Sequence, residues 1–211
     1  VGGKGEQPDE YVQNKIAGKP HIGETPVDMI QDTAYFAAKA MRAVEEAGSS
    51  MTANQEEYEH WKTDIEALSL ITESYNHKLL AALKILEYKY TMDEKLHGDL
   101  SLLEEAKTEI EKNLEVYRKL ADLTDQTYLY AQSMQTPQRK IPFENGDTYG
   151  HWRACLPEYE REYRNFSRHL EEMRQGKYPE AQQEDGEYRS LTPAPYKLLS
   201  EEYETYMLQK G

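Results

Sequence analysis

Cysteine and long apolar runs are both scarce in this sequence. A single cysteine, Cys155, among 211 residues excludes an internal disulfide and a zinc site built on several cysteines. No apolar stretch approaches the roughly 18 residues of a membrane span, so we expect no membrane insertion. There is no signal peptide, and the opening "VGGKGEQPDE" is typical of a linker or a cut. We therefore expect a fragment of a longer protein.

Positive charge is also in short supply. Lysine and arginine total 25 against 39 aspartates and glutamates, which gives a net charge of −14. An acidic surface repels phosphate backbones and anionic head groups, so nucleic acid is not an expected partner. Hydrophobic residues make up 38% and charged residues 30%, a balance that favours long amphipathic helices. The 17 tyrosines argue against disorder.

Apolar residues recur at alternating steps of three and four, which predicts four long helices. The first opens at Thr25, a good N-cap, with Pro26 in its first turn, and Gly48 is its expected end. The other helices are expected at about residues 53–90, 99–123 and 156–175. The inward stripe of the second helix is expected to contain Trp61, Ile65, Leu68, Thr72, Tyr75, Leu79, Ala82 and Leu86.

The predicted fold class is all-α, an antiparallel bundle of about four long helices with a long irregular connection before the last. Residues 1–24 hold five glycines and two prolines and are expected to form an irregular lead-in or linker. Residues 25–176 are the expected bundle domain. Residues 177–211 are expected to form a surface-wrapping loop and a C-terminal segment that could lead into a removed domain.

No catalytic or metal-binding motif stands out. Di-metal bundles use two Glu-x-x-His pairs, but only Glu57 and His60 have this spacing, because His77 follows Glu73 by four residues. The sequence has no HExxH motif, nucleophile elbow or glycine-rich phosphate loop. Cys155 is expected to be a small inward-facing residue. We therefore predict no catalytic residue, no metal and no cofactor.

The strongest candidate binding site is the stretch around "SMQTPQRKIP". Its amides, cations and aromatic residues suit sugar hydroxyls and carboxylates, because aromatic faces stack on sugar rings and arginine grips carboxylates. The alternative is a stiff inter-helix connection whose Arg139 pairs with the acidic bundle, and we favour this structural or domain-interface role. The candidate ligand-binding residues are Gln132, Gln135, Gln138, Arg139, Lys140, Tyr149, His151 and Trp152.

Two segments carry a resemblance to a known group of proteins. "TYLYAQSMQTPQRKIPF…GHWRACLPEYEREYRNF" and "EYVQNKIAGKPHIGETPVDMIQDTAYFAAKAM" resemble the C-terminal helical region of large multidomain exported bacterial proteins of glycoside-hydrolase type, which abound in the Bacteroidetes. The likeness covers roughly residues 8–175. It implies a periplasmic or extracellular accessory helical domain whose partners are the catalytic domain of the parent chain and, through the connecting loop, a glycan. It carries over no catalytic residue.

Two other functions stay open. The chain could be a stand-alone protein–protein interaction module, or a metal-dependent or hydrolytic helical enzyme. A glycan site should be a groove with a few convergent polar groups, whereas a protein interface should be a broader apolar patch with a polar rim. The geometry of the exposed surface therefore distinguishes a glycan-contacting accessory domain from a protein–protein interaction module.

Overall fold

A computed structural model describes residues 5–95, 97–125, 127–128 and 151–177. Within these residues the chain forms five α-helices and no strand, so the all-α bundle is confirmed. In chain order the helices are α1 Pro8–Ile16, α2 Pro26–Ser50, α3 Gln55–Thr91, α4 Leu100–Asp125 and α5 Trp152–Arg174. No helix in the described part of the chain is apolar and long enough to cross a bilayer.

Helices α3, α4 and α5 form the antiparallel centre of the bundle. Their main core cluster takes three residues from each helix, and Phe166 and Leu103 are fully buried in it. Truncating a buried phenylalanine to alanine typically costs about 3–5 kcal/mol. A second cluster, built on Ala67, Tyr117 and Leu120, continues the core toward the start of α5. This layering leaves α2 on the outside, where it packs chiefly against α3.

The predicted start of α2 is confirmed. Thr25 accepts a hydrogen bond from the Asp28 backbone N–H at 3.2 Å, and the Asp28 carboxylate accepts one from the Thr25 backbone N–H at 2.9 Å. This reciprocal pair satisfies two donors that a helix start leaves free. The predicted end at Gly48 is wrong by two residues, because Gly48 lies inside the helix and Ser50 ends it.

Helix α5 begins four residues before the predicted Leu156. His151 caps it, since its Nδ1 accepts from the Arg153 backbone N–H at 3.0 Å. Pro157 lies inside the helix, past the first turn, so the Arg153 carbonyl lacks the N–H donor that another residue at this position would supply. The end at Gly176 is confirmed: this glycine has φ +77°, and its N–H donates to the Met173 carbonyl at 2.9 Å.

The segment 1–24 is not wholly irregular, because it contains the nine-residue helix α1. Val12, which is only 1% exposed, packs on Leu83 and Leu86 of α3. Glu6 is also buried and accepts hydrogen bonds from Asn14 at 3.1 Å and from the Ile22 backbone N–H at 3.0 Å. The Val12 contacts hold the segment on α3, and the Glu6 hydrogen bonds join α1 to the chain that follows it. A nine-residue helix would be marginal without such contacts.

Candidate functional site

One face of α3 is apolar and open to solvent. Trp61, Leu68 and Tyr75 lie seven residues apart, so they share one face, and they are 60%, 63% and 69% exposed. These three residues belong to the stripe that the sequence predicts to face inward, and for them that prediction is wrong. The periodicity is correct, but no described helix covers this part of α3.

The positions of the other helices explain why this face of α3 is exposed. Ala67, Ser74 and Ala81 are buried on the side of α3 that faces α4 and α5, and α1 covers the C-terminal half near Leu83 and Leu86. Helix α2 covers a third side. Between α2 and α5, the N-terminal half of α3 therefore presents an uncovered arc.

Helix α2 contributes the second edge of this arc. Its register on α3 is set by Asn76 Nδ2, which donates to the Ile30 carbonyl at 3.3 Å, and by the Tyr58 hydroxyl, which donates to the Val44 carbonyl at 3.1 Å. In this antiparallel pairing, Met29 and Phe36, seven residues apart, lie on the flank of α2 that borders the arc. They are 43% and 61% exposed. We refer to Met29, Phe36, Trp61, Leu68 and Tyr75 as the apolar face.

The opposite edge of the apolar face is formed by the end of α4 and the start of α5. The Tyr128 hydroxyl donates to the Asp64 carboxylate of α3, and the Tyr128 ring meets the Trp152 ring edge-to-face at 5.8 Å. Trp152 also packs on the core cluster that contains Ile71. The face therefore has an aromatic and acidic border on this side.

His151 and Trp152 are the two predicted ligand-binding residues that the structure describes. Besides capping α5, His151 places Nε2 at 3.0 Å from the Thr124 carbonyl, to which its N–H donates. Both contacts tie the start of α5 to the end of α4. The other six candidates, Gln132, Gln135, Gln138, Arg139, Lys140 and Tyr149, lie outside the described residues, so a glycan-binding role for the set stays a prediction.

A row of polar groups crosses the core beneath the apolar face. The Ser74 hydroxyl donates to the Asn113 side-chain oxygen at 2.5 Å, and both residues are buried. The rings of Tyr117 and Tyr159 stack at 3.7 Å between centroids, and Cys155 packs beside them. Burial raises the pKa of the two phenols and of the Cys155 thiol above their ordinary values. These groups stay protonated at neutral pH, which suits a structural row better than a nucleophile.

Acidic and histidine side chains do not converge on a metal site within the described ranges, where no group of three such residues could hold an ion. Glu57 and His60 are both exposed near the start of α3. The His77 ring instead bridges helices, with Nδ1 at 2.7 Å from Glu109 of α4. That contact links α3 to α4.

The limits of apolar periodicity explain both the confirmed and the wrong predictions for this face. The inward stripe that the sequence predicts on α2 consists of Val27, Ile30, Ala34, Ala37, Met41 and Val44. Met29 and Phe36 lie outside it, although their spacing of seven marks a second stripe beside it. Periodicity shows which residues share a face. It does not show which face a neighbouring helix covers, and that depends on contacts far apart in sequence.

Comparison with known proteins gives a likeness to a solved structure. A solved structure described as a GH138 enzyme targeting pectin rhamnogalacturonan II is 32% identical to this chain, with a TM-score of 0.72. The match covers 82% of this chain and 20% of that enzyme, so the chain spans about one fifth of its length. No protein-family model matches the chain, and no curated protein does. The likeness supports a relation to glycoside-hydrolase-type proteins, in agreement with the sequence resemblance.

Proposed function

We propose that this chain is a non-catalytic accessory helical domain of a secreted glycoside-hydrolase-type protein, where it braces the catalytic module. The observation that carries this proposal is the likeness to one fifth of a GH138 enzyme at 32% identity. A bundle that matches so small a share of an enzyme suits the role of one domain among several. The same likeness makes rhamnogalacturonan II the first polysaccharide to test.

The site geometry supports a bracing role. The apolar face is broad and lacks convergent polar groups, which is typical of a protein contact. The buried phenols and thiol in the core beneath it are weak acids and poor nucleophiles at neutral pH. A glycan-contacting function of the connection near residues 132–152, and a periplasmic or extracellular location, belong to the same proposal.

The proposal is tested with the complete gene product on rhamnogalacturonan II oligosaccharides. We expect residues 1–211 alone to release no sugar, and we expect deletion of these residues from the complete product to lower its activity and its Tm. Reducing-sugar release and differential scanning calorimetry provide the two readouts. Sugar release by residues 1–211 alone, or a complete product without any action on glycans, would contradict the proposal.

A second candidate is a stand-alone interaction module, which the apolar face also favours, because solvent-exposed apolar clusters mark protein contacts. This module would bind a separate protein instead of a neighbouring domain. A gene product that ends close to residue 211 and carries no catalytic module would favour it.

The third reading, a metal-dependent or hydrolytic helical enzyme, would require stoichiometric metal or activity in the purified chain.

A further inference from the structure

The apolar face is larger than the scatter of single exposed apolar residues that every protein carries. Five large side chains from two helices contribute to it, and Trp61, Leu68 and Tyr75 alone extend over about 21 Å of helix α3 at a rise of about 1.5 Å per residue. A contiguous apolar patch of this kind usually marks an interaction site.

The chemistry of the face favours a protein partner over a glycan. Leu68 lies at its centre and Met29 at its edge, and neither side chain can form the hydrogen bonds that sugar hydroxyls require. The carboxylate of Asp64 at the border already accepts the Tyr128 hydroxyl. An apolar centre with such a polar border is typical of protein–protein contacts.

Charge disfavours a second copy of the chain as the partner. Each copy carries a net charge of −14, so two copies repel each other, whereas a basic surface is attracted. The length comparison points to a source for that surface, since four fifths of the similar GH138 enzyme lies beyond the matching region. A tethered module of the same protein would also meet the face at a high effective concentration.

We infer that the apolar face docks onto an apolar surface, rimmed by basic residues, on another folded module of the same protein. This inference rests on the proposed function and names the partner and the contact residues. Trp61 and Leu68 are the central contacts, because buried aromatic and apolar anchors dominate the free energy of such interfaces. Phe36 of α2 adds the flanking contact.

The test uses residues 1–211 and the remainder of the gene product as two separate polypeptides, titrated against each other by calorimetry. We expect a one-to-one complex, which Leu68→Glu and the uncharged Leu68→Gln each weaken at least about tenfold, or about 1.4 kcal/mol. The matched control is Ile22→Glu. Ile22 is 75% exposed but lies outside the apolar face, so this variant should bind like the wild type.

Three results would overturn the inference. The first is a gene product without a further module, or two polypeptides that do not bind. The second is equal binding by the Leu68 and Ile22 variants. The third is an apolar face that is already covered in isolated residues 1–211. Sedimentation would reveal cover by a second copy as a dimer that Leu68→Glu dissociates. A marked fall in the Tm of isolated Leu68→Gln would reveal cover by the chain itself.

The two proposals fail separately. If the complete product acts on glycans but the polypeptides do not bind through Leu68, only the docking inference fails. If they bind through Leu68 but the complete product has no action on glycans, the proposed carbohydrate-related function fails while the docking surface stands.

Discussion

Tyrosine hydroxyls join the helices at several points where their rings lie against the bundle. The Tyr163 hydroxyl of α5 donates to Glu111 of α4 at 2.9 Å, and the Tyr90 hydroxyl of α3 donates to Asp9 of α1. A phenol can join helices in this way because its ring packs on apolar surface while its hydroxyl reaches a polar partner at the edge. The many tyrosines therefore serve as contacts between helices as well as core residues.

Glu6 is the residue through which pH should act on the N-terminal segment. Burial raises the pKa of its carboxyl, but hydrogen bonds from His21, the Ile22 backbone N–H and Asn14 outweigh that effect and hold the pKa below the ordinary 4.5. The His21 Nδ1 lies 2.6 Å from the carboxylate. A carboxyl with a lowered folded-state pKa stabilises the fold above its unfolded pKa, and this contribution is lost as the pH falls through the folded value.

We predict that Glu6→Gln lowers the free energy of unfolding at pH 7 and that the difference from the wild type shrinks as the pH falls below about 4.5. Urea unfolding followed by circular dichroism across this range measures the difference. Glu10→Gln, at an exposed position of α1, is the control and should change little. A Glu6→Gln effect that stays constant with pH, or grows toward low pH, would refute the assigned role.

His151 offers a second test at the residue scale. His151→Ala removes the N-cap of α5 and the hydrogen bond to the Thr124 carbonyl, so we expect a loss of about 1 kcal/mol in stability. His151→Asn keeps a capping side chain and should recover part of that loss. The control is His60→Ala at an exposed position. Equal urea midpoints for His151→Ala and His60→Ala would show that the cap contributes nothing.

The junction between α2 and α3 explains a glycine inside a helix. A Cβ atom on Gly48 would lie 2.0 Å from the Tyr58 hydroxyl oxygen, so any larger side chain must displace that ring. The ring is held there because its hydroxyl donates to the Val44 carbonyl. Close helix approach, and not helix termination, is therefore the role of this glycine.

From this contact we predict that the effect of Gly48→Ala on the free energy of unfolding changes sign when Tyr58 is replaced by alanine. Glycine to alanine inside a helix ordinarily stabilises by roughly 0.5–1 kcal/mol. Gly48→Ala should instead destabilise the wild type, because Tyr58 must move, and should stabilise the Tyr58→Ala background. Thermal unfolding of the four proteins in this cycle gives the coupling. Simple additivity would show that the ring does not constrain position 48.

At the scale of elements, the sequence predicted those helix ends that depend on hydrogen bonds between neighbouring residues. The start of α2 and the end of α5 were found because Thr25 and Gly176 act through their immediate neighbours. The sequence missed α1 because the contacts of Val12 with Leu83 and Leu86, far away in sequence, hold it in place. It placed the start of α5 four residues late, because histidine is not among the usual N-cap residues although His151 caps this helix.

At the scale of the molecule, the helices of the described residues leave part of the apolar pattern uncovered. The stripe on α3 is continuous in sequence, but described helices cover only its C-terminal half. Sequence periodicity could therefore indicate the apolar residues of the candidate site, Trp61, Leu68 and Tyr75, but not that they face outward. That outcome depends on how far α1 extends along α3 and on which side of α3 helix α2 packs, and no local signal records either.

The central claim, that the described helices leave this face open to solvent and that another module covers it in the larger protein, is tested most directly by the solvent access of Trp61. The chain has two tryptophans, so Trp152→Phe leaves Trp61 as the only reporter in residues 1–211. In the larger protein, replacing any further tryptophans by phenylalanine keeps the signal specific. We would measure acrylamide quenching of Trp61 fluorescence in both. The account predicts strong quenching and long-wavelength emission in the isolated chain, and weak quenching with blue-shifted emission in the larger protein. Equal quenching in the two proteins would contradict it.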